Sequence, residues 1–67
     1  MCMATAYLEQ GSRRKTLISD VVFLEQVGRR IVLRALFGGQ ATVMAKIKEI
    51  DFANSTILLE EERREAT

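Results

Sequence analysis

The chain has 67 residues, 48% hydrophobic and 28% charged, with a formal net charge of +1, one cysteine and no histidine. That length allows one small domain, 1–67, and leaves no room for a large core. Without histidine there is no His base, no His ligand and no Cys/His pair, and a single cysteine rules out an internal disulfide.

A domain of about 60 residues buries only about 60% of the surface its unfolded chain exposes, so a metal or a second subunit would help to hold it. No apolar run approaches the roughly 18 residues of a membrane span. The N-terminus lacks a basic segment followed by an apolar core, so no export signal is expected. A lone thiol without such a signal suits the reducing cytoplasm.

Along the chain, Cys2–Gln10 reads as a first strand, with Cys2, Ala4, Ala6 and Leu8 on one side and Met3, Thr5, Tyr7 and Glu9 on the other. Gly11-Ser12-Arg13-Arg14 reads as a turn. Lys15–Ser19 leads into a second strand over Val21–Val27, marked by β-branched and aromatic residues. Gly28-Arg29 suits a tight turn. A third strand over Ile31–Phe37 would turn Ile31, Leu33, Ala35 and Phe37 inward. A helix competes over this region, since Leu24, Val27, Ile31 and Ala35 have helical spacing, but Gly28 and the clustered Val and Ile favour two strands.

Gly38-Gly39-Gln40 breaks the pattern, and Ala41–Ile47 alternates again with Ala41, Val43, Ala45 and Ile47 inward. After Ile47 the phase flips to Ile50 and Phe52, which predicts a bulge or sharp bend. Ala53-Asn54-Ser55 is a turn, Thr56–Glu60 a last strand, and residues 61–67 a charged C-terminal tail. Short strands with turns about every ten residues imply an all-β class: a bent sheet of five to six strands closing into a small SH3-like barrel.

Charge is unevenly spread. Residues 1–48 carry eight Lys/Arg against Glu9, Asp20 and Glu25, whereas residues 49–67 carry six acids against Arg63 and Arg64. Arg13, Arg14, Lys15, Arg29 and Arg30 fall in or beside two turns. If those turns share one end of the barrel, they form a patch for nucleic acid. The four aromatics, Tyr7, Phe23, Phe37 and Phe52, fall mostly at core-facing positions, which is poor for stacking bases. Glu9, Glu25 and Glu49 are isolated on solvent faces, Gly38-Gly39 lacks the phosphate-loop spacing, and no nucleophile has a base, so the chain does not read as an enzyme.

What chemistry there is gathers at Cys2. If the initiator Met is removed, the Cys2 amine and thiolate form a five-membered chelate; if it stays, the Cys2 backbone nitrogen or the Met1 amine can take the nitrogen role. Sulfur and nitrogen donors in a square plane suit Ni(II). Two such chelates from two chains would complete four-coordination at a dimer axis. A Cu(I) site from Cys2, Met1 and Met3 is weakened because both methionines point away from Cys2 along a strand. Packing alone is the plain alternative for this cysteine.

Met1-Cys2-Met3-Ala4 at the start of a short chain, then Asp20-Val21, Leu36-Phe37-Gly38, Ile47-Lys48-Glu49-Ile50-Asp51 and Ile57-Leu58-Leu59-Glu60, together resemble the CooT family. These are small nickel-binding accessory proteins linked to maturation of carbon monoxide dehydrogenase. The resemblance spans almost the whole chain, and Met1-Cys2 is its most specific part. It implies a small β-barrel, often dimeric, that binds Ni(II) through Cys2 and passes it to a nickel-enzyme maturation partner. It implies RNA binding as the alternative. With no His-rich tail, the chain would carry nickel at one site and not store it in bulk.

Overall fold

The computed structural model describes residues 3–62. Cys2, Arg63, Arg64 and the rest of 63–67 lie outside the described residues. Five strands run in chain order: β1 (Ala4–Gln10), β2 (Arg13–Val27), β3 (Arg30–Ala35), β4 (Gln40–Asp51) and β5 (Thr56–Glu61). They form a closed barrel in the order β1-β2-β3-β4-β5. All neighbours are antiparallel except β1 and β5, which pair in parallel and close the ring. The all-β barrel expected from the sequence is therefore the observed fold, and the region from Val21 to Ala35 forms two strands, not a helix.

Two long, bent strands make this closure possible. β2 pairs with β1 through Arg13–Val21 and with β3 through Val21–Val27, so Val21 faces Ala4 on one side and Ala35 on the other. β4 pairs with β3 through Gln40–Met44 and with β5 through Ala45–Asp51. Irregularities in the pairing sit where the strands bend: near Ala4–Tyr7, at Val21–Phe23, and between Ile47 and Glu49. The last is the bulge that the phase change after Ile47 predicts, and it leaves Lys48 without a ladder partner.

The core is small and wholly apolar: Ala6, Leu8, Val21, Ile31, Leu33, Ala45, Ile57 and Leu59, with no buried polar or charged residue. Alternation accounts for Ala6 and Leu8 on β1, Ile31 and Leu33 on β3, and Ala45 on β4. Turns take the residues their backbone demands, with Gly28 at φ 62° between β2 and β3.

Three local expectations are corrected. Arg13 and Arg14 are not turn residues; they open β2, which is longer than the Val21–Val27 strand read from the sequence, because β1 supplies a partner for this polar stretch. Phe37 is not core-facing: β3 ends at Ala35, and Phe37 sits in the following turn at 82% exposure. Phe52 is likewise in a turn, at 77% exposure, and Ile47 and Ile50 are exposed rather than packed.

Candidate functional site

The first described rungs of β1 are anchored from two sides. Ala4 pairs with Val21, Thr5 pairs with Thr56, and the Thr5 amide donates to the Ser55 carbonyl at 3.0 Å. From Ala4 onward, β1 is therefore held by backbone pairing on both sides. Met3, the first described residue, is exposed at 40%.

Beside this entry point lies a groove of about 190 Å³. β1 contributes Ala4, β2 contributes Val21 to Leu24, β4 contributes Ile50 and Asp51, and the turn into β5 contributes Phe52 and Ser55. The lining is mainly apolar, with Asp51 its one ionisable side chain. The Asp51 carboxylate accepts from the Asn54 amide at 3.1 Å and from the Asn54 side chain at 2.8 Å, which lowers its pKa. Phe23, on the β2 wall, carries the Arg34 guanidinium 4.7 Å above its ring centroid.

Among the described residues no group of three or more Cys, Asp or Glu side chains is placed to hold a metal ion. Soft donors there are limited to the exposed thioethers of Met3 and Met44.

The basic residues among those described are all exposed. Arg13, Arg14 and Lys15 face Gln10, Glu9 and Leu8 on β1, whereas Arg30 faces Val27 and Met44, with Arg29 in the turn before it. The strand pairing therefore makes the two groups no neighbours of each other. Acids are interleaved with the first group: Arg14 lies 3.9 Å from Glu9, and Glu9 also accepts from Lys48. Glu9, expected to stand alone on a solvent face, is instead the centre of a charge cluster. Sequence reasoning missed both this cluster and the groove, because each joins residues from β1 with residues some 40 positions later.

The chain matches the family model described as CooT, CO dehydrogenase accessory protein, over residues 1–60. A crystal structure of a protein from Carboxydothermus hydrogenoformans that carries the CooT name superimposes with a TM-score of 0.85 at 29% identity, covering 92% of this chain and 100% of that one. No curated protein matches the chain. Among the described residues no helix is long and apolar enough to cross a membrane.

Proposed function

The chain belongs to the CooT family of CO dehydrogenase accessory proteins, and on that footing we propose that it is a cytoplasmic nickel metallochaperone and not an enzyme. Ni(II) is its cargo, held by the Cys2 thiolate and a nearby terminal or backbone nitrogen, and released by ligand exchange to a nickel-enzyme maturation partner. The observation that carries the reading is the family match, which extends through Cys2, the chain's one cysteine. The lack of a competing ligand cluster among the described residues supports it. A second copy of the chain, forming a homodimer, supplies the other S,N pair.

Nickel titration followed by thiolate-to-nickel charge-transfer absorption tests this, with wild type beside Cys2→Ala and with light scattering for the oligomer. Saturable bands in wild type that vanish in the variant are expected, at half a nickel per chain. Equal nickel binding by the variant would sink the proposal. Salt-dependent RNA binding that drops on neutralising Arg13, Arg14 and Lys15 and ignores Cys2 would favour the nucleic-acid alternative instead.

A further inference from the structure

Within the two-sided pairing of β1, Thr5 is held on one side only. Against β2 the register passes from Ala4 opposite Val21 to Ala6 opposite Ile18, and Thr5 is skipped. Its partner lies on β5. Thr5 faces Thr56 in the first rung of the parallel ladder, and its amide donates to the Ser55 carbonyl at 3.0 Å. Ser55 therefore fixes the β1 backbone at the point where β2 does not.

Ser55 does not take its conformation by preference. Its φ of 55° is left-handed, a region that an L residue keeps only where its surroundings hold it there. The turn from β4 to β5 supplies that constraint through Asp51. Asp51 ends β4, opposite Thr56. Its carboxylate reaches forward over the turn: one oxygen accepts from the Asn54 amide at 3.1 Å and the other from the Asn54 side chain at 2.8 Å. The same two bonds, the side-chain one first, hold the Asp51 carboxyl below its ordinary value of 3.8, so the acceptor is ionised at neutral pH. Asp51 forms no ion pair among the described residues, which leaves closing this turn as the contact its carboxylate makes there. Asp51, Thr56 and Thr5 lie opposite one another across β4, β5 and β1.

Resting on the nickel reading above, we infer that Asp51 is a positioning residue for the N-terminal nickel site. Through Asn54 and Ser55 it fixes Thr5, three positions after Cys2 in the chain, and so limits how much of β1 nickel binding must order. It acts on backbone and is not offered as a ligand. Removing it frees the turn, releases the Thr5 amide from the Ser55 carbonyl, and moves the first fixed backbone further from the thiolate.

The test compares full-length wild type with Asp51→Ala, Asn54→Ala and Gly28→Ala. Gly28→Ala, in the β2–β3 turn and outside these bonds, is the control for a general loss of stability. In metal-free, 15N-labelled protein, Asp51→Ala should speed solvent exchange of the Thr5 amide several-fold relative to that of Leu33, and Gly28→Ala should not. In nickel-loaded protein challenged with excess EDTA, Asp51→Ala should lose its charge-transfer absorption roughly 3- to 10-fold faster than wild type, less than when a group bonded directly to a metal ligand is removed. Asn54→Ala keeps its backbone bond to Asp51 and should fall between the two. The bands should keep their wavelengths, because the donors are unchanged. Asn54 is exposed, so Asn54→Ala carries the same readouts if Asp51→Ala does not fold. Unchanged Thr5 exchange, nickel loss no faster than in Gly28→Ala, or shifted bands would overturn the inference. Nickel binding that survives Cys2→Ala would sink the nickel reading and this inference with it. Cys2-dependent binding with equal loss rates in all variants would sink the inference alone.

Discussion

Lys48 reaches across β5 to Glu9. It is the residue skipped by the ladder between Ile47 and Glu49, and its ammonium group donates to the Glu9 carboxylate two strands away. Arg14, from the neighbouring strand, lies 3.9 Å from the same carboxylate. The hydrogen bond from Lys48 lowers the Glu9 pKa and, reciprocally, raises that of Lys48.

The sign of each shift fixes the pH window. Glu9's contribution is complete above its ordinary value of 4.5 and is lost as pH falls through the lowered value. That of Lys48 is complete below 10.5 and is lost as pH rises through the raised value. Both groups are solvent-accessible, so Glu9→Gln should cost no more than a few degrees in Tm at pH 7. The variant's Tm should fall less than that of wild type between about pH 5 and pH 2. Thermal melts followed by circular dichroism across that range check this, and parallel acid limbs would mean the contact adds nothing.

Leu33→Ala should remove a large share of the folding free energy. Leu33 is fully buried in a core with only two other large, fully buried side chains, Ile31 and Leu59. Such truncations cost about 2–5 kcal/mol, against a total of roughly 3–10 kcal/mol for a domain of this size. Urea denaturation of the variant at 25 °C should show a midpoint lowered by about 1 M or more, and an unchanged midpoint would mean that the site tolerates the loss.

Gly28→Ala should be tolerated but destabilising. Nothing lies within 4 Å of an added Cβ, so the penalty comes from φ 62° alone. It amounts to about 1–2 kcal/mol, read as a Tm lowered by about 4–16 °C. Gly28→Asn should lose less, because Asn accepts this backbone region more readily. Equal losses for the two would point to a cause other than backbone conformation.

Nickel affinity, on the proposed site, should weaken as pH falls below the ordinary thiol range near 8.5, by about tenfold per pH unit for each thiol proton displaced. Isothermal titration at several pH values in one ionic strength reads this slope. A flat profile would exclude the thiolate as a ligand.

Where the sequence was informative, alternation against a packed core was the reason. Ala6 with Leu8 and Ile31 with Leu33 were legible as sharing a face, and Ala45 as facing inward, because each strand there has one face sealed by the other strands. The bulge near Lys48 was legible because it inverts that alternation. Arg13–Ser19 was not, since Arg13–Thr16 is exposed and paired to β1 with no apolar period, and the two residues that do pack against the core, Leu17 and Ile18, are adjacent and show no alternation. Phe37 and Phe52 misled for the opposite reason: their apolar character implied burial, but both sit in turns. Cys2, the residue with most chemical promise, stood out by its uniqueness, which no arrangement of strands was needed to reveal.

The parallel pairing of β1 with β5 has a consequence for how the protein is made. Ala6 and Ile57 meet across 51 positions of chain, and β5 must slot between β1 and β4 before the ring exists. During synthesis, β1 emerges early but finds that neighbour only after β5 has followed it. Until then the N-terminal strand lacks the Ser55 and Thr56 contacts that anchor Thr5. The contacts that anchor Thr5 thus wait on β5, the strand most distant from β1 in sequence, so closure of the ring is set by its longest-range pairing.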